Sequence, residues 1–127
     1  DWSDSRDFMR GVWLMLNQNK PKDYVLASGE TNSVKDFVTK AFSAAGIPGL
    51  WSGEGLEAKF RLFQENTVLA EISEEWFRPA EVDLLHGDAS DAEKELGWKR
   101  EISFDKMIED MVQCDLDIYA KQAQEDQ

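Results

Sequence analysis

Apolar residues recur at helical spacing in four places along the chain. Met9, Val12, Trp13 and Leu16 fall at i, i+3, i+4 and i+7, with Phe8 widening the stripe, and predict a helix within Asp1–Gln18. Ser3 and Asp4 stand at its start, where a side-chain oxygen can accept the free amide hydrogens of the first turn, and Pro21 stops it. Val34, Phe37, Val38, Ala41, Phe42 and Ala45 make the cleanest stripe; Ser33 caps this second helix, with Asp36 in a box-like position, and Gly46 closes it. A short third helix follows Gly87-Asp88, with Ser90 as cap, Glu93 at the capping-box position and Gly97 as its end. Ser103 opens the fourth, whose apolar side is Phe104, Met107, Ile108, Met111, Leu116 and Tyr119; Cys114 lies near that side and reads as a small hydrophobe. Lys121–Gln127 is polar and is expected to fray.

Between the helices the period changes. Tyr24-Val25-Leu26-Ala27 is short, apolar and bounded by turn residues, which predicts a buried strand. Ile47–Gly55 reads as loop or short strand around Trp51. Lys59–Phe63 and Thr67–Ile72 flank Gln64-Glu65-Asn66 and predict a hairpin; Val82–Leu85 predicts a further short strand. The fold class is therefore mixed α/β (α+β), about four helices with short strands and a hairpin, in a single domain over residues 1–127.

Charge changes the range of partners. Fourteen basic and 26 acidic residues give a net charge of −12. Such a surface repels phosphate backbones and anionic membranes, so neither nucleic acid nor membrane is an expected partner. An anionic ligand would need local cations acting against the global field. The apolar fraction, 42%, is that of a folded protein. The single cysteine excludes an internal disulfide and fits an intracellular, cytoplasmic protein. The chain opens on Asp1-Trp2 without a methionine, as expected of a fragment.

Candidate chemistry is sparse. One histidine cannot build a zinc site, and no glycine-rich phosphate loop, nucleophile elbow or calcium loop occurs, so no catalytic, metal or cofactor-binding residue is assigned. Two residues stand out. Arg78 offers a planar fork of donors suited to phosphate or carboxylate, or else pairs with one of the many acidic side chains, the commoner fate of a surface arginine. Glu81, three residues on across Pro79, could accept from ribose hydroxyls or be a solvated carboxylate. His86, with no acid, base or nucleophile near it in sequence, reads as a half-buried structural histidine. Trp51 and Trp76 lie in loop-like contexts, either packed under a loop or facing a partner.

Four segments resemble one family in order: Asp1-Trp2 with Arg6-Asp7-Phe8 and Trp13-Leu14-Met15-Leu16; Tyr24-Val25-Leu26-Ala27-Ser28-Gly29; Ser33-Val34-Lys35-Asp36-Phe37-Val38; and Phe77-Arg78-Pro79-Ala80-Glu81-Val82-Asp83 with Gly87-Asp88 and Leu96-Gly97-Trp98-Lys99. Across nearly its whole length the chain is similar to the C-terminal, sugar-nucleotide-binding half of the GDP-mannose 4,6-dehydratases, which are extended short-chain dehydrogenases/reductases. The resemblance implies a lyase that converts GDP-mannose to GDP-4-keto-6-deoxymannose for GDP-fucose synthesis. NADP takes a hydride from C4 and returns it at C6. The residues matching Arg78 and Glu81 contact the GDP moiety. It also implies an N-terminal Rossmann domain as partner, carrying the NADP loop and the catalytic residues, and a homo-oligomer. None of that domain's motifs occurs in this chain, so the chain alone is expected to be inactive. Ser3-Asp4 replaces a usual Gly-His or Gly-Tyr, which puts the start of the first helix in question. Arg100 replaces a proline and is expected to loosen its loop. The alternatives are a non-catalytic interaction module derived from this fold, or the same domain of another nucleotide-sugar epimerase or dehydratase.

Overall fold

Asp4 starts the first helix. In a computed structural model, which describes residues 1–78, 80, 82 and 84–125, its carboxylate accepts the Arg6 backbone N–H at 2.8 Å, and α1 runs over Ser5–Leu16. The other elements are α2 (Val34–Ala44), β1 (Gly49–Ser52), β2 (Lys59–Leu62), β3 (Val68–Glu71) and α3 (Phe104–Glu125), with a π-helical turn at Ala92–Leu96 and 3-10 turns at Gly55–Glu57 and Glu74–Trp76. This is the mixed α/β composition that the periodicities predict. The chain divides into two compact units, Asp1–Ser33 with Asp83–Asp110, and Val34–Val82 with Met111–Gln127.

In the first unit, α1 packs by a face other than the predicted one. Asp7 and Gly11 are buried, and Phe8, Leu14 and Met15 pack against a core of Ala27, Ala89, Ala92, Leu96 and Trp98. The expected stripe of Met9, Val12, Trp13 and Leu16 is exposed, Leu16 to 79%. Apolar spacing cannot choose between two apolar faces; the choice is made by Gly11. A Cβ there would stand 2.5 Å from Leu26 Cδ1 and 3.1 Å from Trp98 Nε1, so only glycine lets the helix approach this closely.

A buried carboxylate fixes the approach. Asp7 is 0% exposed. Its Oδ2 accepts the backbone N–H of Glu101 at 3.1 Å and of Ile102 at 2.9 Å. Its carbonyl accepts the indole N–H of Trp98 at 2.8 Å. Arg10 Nη2 lies 3.1 Å from Oδ1, an ion pair set off the line of a hydrogen bond, since that oxygen has no hydrogen-bond partner.

Three expectations in this unit are corrected. The third helix is a brief turn that widens into the π form. Its amide cap is Asp88 rather than Ser90: Asp88 Oδ1 accepts the Ser90 N–H at 2.9 Å. Gly97 (φ 66°) then lets the Trp98 N–H return to the Ala92 carbonyl at 3.3 Å, and the wide turn carries Trp98 into the core. Tyr24–Ala27 has no partner strand among the described residues, and Val25 is exposed; side chains hold the stretch instead. Tyr24 donates its hydroxyl to Glu95 at 2.8 Å, and Lys22 binds the same carboxylate at 2.5 Å. Arg100 tightens its loop rather than loosening it, through two bonds to Glu30 at 2.8 and 2.5 Å.

The second unit follows its sequence more closely. α2 ends in a Schellman turn: Gly46 (φ 73°) donates to Ser43, and Ile47 donates to Phe42 at 2.9 Å. The predicted hairpin is β2–β3, antiparallel, with one bulge and with Gln64 at φ 64° in its turn. β1 joins β2 antiparallel, pairing Trp51 with Phe60. Phe60 is the buried centre, 5.2 Å from the Phe42 ring and 5.3 Å from that of Trp51. The described residues of Val82–Leu85 form no strand and are exposed; Asp83 lies outside the described set. Of the predicted apolar side of α3, Phe104, Met107 and Ile108 are buried, whereas Met111, Leu116, Tyr119 and Cys114 are exposed. The helical period continues past the point where the packing surface ends.

Two outcomes follow from these contacts. Asp7→Ala strands two backbone amides and removes one of the two carboxylates paired with Arg10, and is expected to cost about 3 kcal/mol in chemical denaturation. The second concerns acid. The Arg6 side chain, at 2.8 Å, holds the Asp4 carboxyl below its ordinary range, and Lys106 and Arg6 do the same for Asp110. A carboxyl with a lowered folded pKa adds stability above its unfolded value, about 3.9, and loses it as pH falls through the folded value. Thermal melts should therefore show Asp4→Asn less stable than the parent at pH 7, with the gap closing below about pH 4.

Candidate functional site

The stretch from β3 to Arg78 is shaped by its backbone. After Glu71 the chain turns at Glu74–Trp76, where Trp76 N–H donates to Ser73 and Phe77 N–H to Glu74, both at 3.3 Å. Phe77 is extended (φ −68°, ψ 127°), and Arg78 follows it into solvent. Among the described residues, Arg78 makes no hydrogen bond or ion pair. Glu81, the second predicted site residue, and Pro79 between them lie outside the described set.

The other arginines and several lysines behave differently. Arg6, Arg10, Lys22, Lys59, Arg100 and Lys106 each contact a carboxylate within 3.1 Å. Lys35 stands over the Trp51 ring, 5.4 Å from its centroid, and Arg61 bonds Asn66. In a chain carrying 26 acidic residues, a solvent-facing arginine without such a partner keeps its full donor fork for something else.

A second place has the form of an anion site but holds its own anion. The backbone N–H groups of Ser28, Gly29 and Gly87 converge on the Asp1 carboxylate at 2.7, 3.1 and 3.0 Å. Gly87 is required here, because a Cβ would stand 2.3 Å from that of Ala27. The neighbouring cleft, about 350 Å³, is lined by His86, Asp88 and Glu93 among others. His86 is exposed rather than half-buried, and its Nε2 meets the Gly29 carbonyl at 2.9 Å, which is a structural role. Acidic walls and an amide nest already filled by Asp1 do not suit a dinucleotide phosphate, so these residues do not form an NADP site. Among the described residues, no group of three or more His, Cys, Asp or Glu side chains could hold a metal ion.

The sequence reading missed the Asp1 nest and could not rank the two loop tryptophans. Trp51 packs on Phe60 and donates its indole N–H to Thr39 at 3.0 Å. Trp76 does neither and is 77% exposed. The signal available for Asp1 was only its position before Trp2, which carries no physical pattern of its own.

The arrangement is a small mixed α/β fold, and comparison with known proteins gives its family. Residues 1–111 match the family model described as GDP-mannose 4,6 dehydratase. The chain is 42% identical over 116 residues to the GDP-mannose 4,6-dehydratase of Sinorhizobium fredii, covering 91% of this chain and 33% of that protein. It is 40% identical over 117 residues to the Dictyostelium discoideum enzyme (92% and 33%), and 35% identical over 118 residues to the human one (93% and 32%). The chain belongs to the GDP-mannose 4,6-dehydratase family. It spans about a third of the length of the curated relatives it matches.

Because Arg78 supports no fold contact among the described residues, Arg78→Ala should leave thermal stability within about 0.5 kcal/mol of the parent. A larger loss in a melting experiment would assign the residue to the scaffold.

Proposed function

We propose that this chain is the substrate-binding part of a GDP-mannose 4,6-dehydratase, a lyase of the extended short-chain dehydrogenase/reductase type. Its residues 1–127 serve as one C-terminal sugar-nucleotide-binding domain in the cytoplasm. Arg78 is the carrying observation: a guanidinium that is exposed and, among the described residues, unpaired, in an acidic chain, on the Arg78-Pro79-Ala80-Glu81 segment of a family member. Its fork binds the diphosphate of GDP-mannose, and the Glu81 carboxylate accepts from the ribose hydroxyls.

The product of the complete enzyme is GDP-4-keto-6-deoxymannose. When bound, NADP would supply the carrier for a hydride taken from C4 of the sugar and returned at C6, after the C6 hydroxyl has left as water with the C5 proton. The residues of this chain take no part in that transfer; they hold the nucleotide end and so fix where the sugar lies. The cofactor and the catalytic groups belong to a Rossmann domain that partners this one, and the assembly is a homo-oligomer. Two features support a missing neighbour: the exposed apolar face of α1 (Met9, Val12, Trp13, Leu16) and the extended, unpaired stretch Tyr24–Ala27. The isolated chain lacks part of its site, so it is inactive and binds weakly.

Calorimetric titration tests this reading. GDP-mannose should bind in preference to UDP-glucose, and Arg78→Ala should weaken GDP-mannose binding by about tenfold or more, the scale of a charge-assisted bond. A preference for the uridine nucleotide would move the chain to another nucleotide-sugar enzyme. Unchanged affinity in Arg78→Ala would remove Arg78 from the site.

A further inference from the structure

Within the second unit, α2 and the C-terminal half of α3 border an open groove of about 260 Å³. That exceeds the roughly 150 Å³ that holds a benzene ring inside a protein. α2 and the turn after it contribute Ala41, Phe42, Ala45 and Ile47. The small side chains of Ala41 and Ala45, one helical turn apart, leave the space open. α3 contributes Val112, Leu116 and Tyr119. Leu116 is 45% and Tyr119 70% exposed, so the fold itself does not fill the groove. The one charged residue lining it is Asp115, which has no hydrogen bond or ion pair among the described residues.

The walls select what can fill it. They are helices whose backbone groups bond internally, and the Ile47 N–H is spent on the Phe42 carbonyl. They offer no row of free backbone groups, so an extended strand would bury its own polar backbone unpaired. A helix arrives with its backbone satisfied. Val112 to Tyr119 spans about 10 Å along α3, or two helical turns. Apolar side chains at i, i+4 and i+7 of a docked helix match that length. The unpaired Asp115, in a chain of net charge −12, favours a cation beside those side chains. A second copy fits poorly. The cations on its exposed α1, Arg6 and Arg10, are already paired with carboxylates, and the two copies carry the same strong negative charge.

We infer that this groove docks a cationic amphipathic helix of another polypeptide. Its large apolar side chains seat between α2 and α3, and a lysine or arginine pairs with Asp115. The apolar anchors supply affinity, and the charge rejects acidic helices of the same pattern. The groove uses no residue of the proposed nucleotide site and stands or falls without it.

The test is fluorescence anisotropy of the chain with three labelled helical peptides of equal length. One is leucine–lysine with an apolar face, one is leucine–glutamate with the same face, and one is alanine–lysine with the same charge and no large apolar side chain. The leucine–lysine peptide should bind at least about tenfold more tightly than either of the others. Asp115→Lys should weaken it about fivefold and improve binding of the leucine–glutamate peptide. Ala45→Leu, which fills the groove, and Tyr119→Ser, at an exposed position that the fold does not lean on, should each weaken it about tenfold. The inference is overturned if the parent does not bind the leucine–lysine peptide, or binds either control equally well. It is also overturned if Ala45→Leu and Tyr119→Ser bind as the parent does, because the peptide is then held only by the acidic surface. Sedimentation of the parent alone should show no association through the groove. An oligomer that Tyr119→Ser disperses would make a second copy the occupant and overturn the inference.

Discussion

The Asp7 carboxylate is the contact on which the first unit depends. It reaches from α1 to the amides of Glu101 and Ile102, more than 90 positions away, while its own carbonyl takes the Trp98 indole. A carboxylate at 0% exposure is tolerable only when it is bonded and charge-paired, and here two amides and Arg10 meet that need. The geometry leaves little freedom. With Trp98 held on one side and Leu26 on the other, α1 can approach only where it has no side chain, at Gly11. Asp1 repeats the device nearby, drawing Ser28, Gly29 and Gly87 onto one carboxylate. In both cases a side-chain anion does the joining that a β-ladder does in the second unit.

This explains why the apolar residues divide as they do. The inward face of α1 is narrow and partly polar, and the fully apolar face points to solvent. The stretch Tyr24–Ala27, which has the composition of a buried strand, is held by its side chains, with its backbone free of any partner strand. Both features are costly in water and become favourable against a further layer of protein. The relatives, about three times as long, have the chain to provide one.

Much of the fold was legible in sequence, and the failures share a cause. Helix positions, the β2–β3 hairpin, the Gly46 Schellman turn and the role of Asp4 follow from local chemistry, which acts over three or four residues. The inward face of α1, the exposure of Cys114 and Tyr119 on α3, and the absence of strands among the described residues of Tyr24–Ala27 and Val82–Leu85 depend on what lies opposite, which periodicity does not encode. Arg100 shows the same limit: as a substitution for proline it suggests a looser loop, but Glu30 stands within reach and ties it. At the candidate site, Arg78 was legible as a residue type on a motif. Its lack of a partner among the described residues, and the difference between Trp51 and Trp76, required three dimensions.

The second unit thus carries, two residues apart, a cation that has no carboxylate partner among the described residues and an aromatic ring that the core has not absorbed. The first unit's anion-shaped nest is closed by Asp1. Under the proposed reading, a phosphate ligand binds at Arg78 and not at the Asp1-filled nest of Gly87. Amide chemical-shift mapping with isotope-labelled chain and GDP tests this directly. The account predicts perturbations centred on the backbone amides from Glu74 to Val82. Perturbations centred instead on Ser28, Gly29 and Gly87 would contradict it.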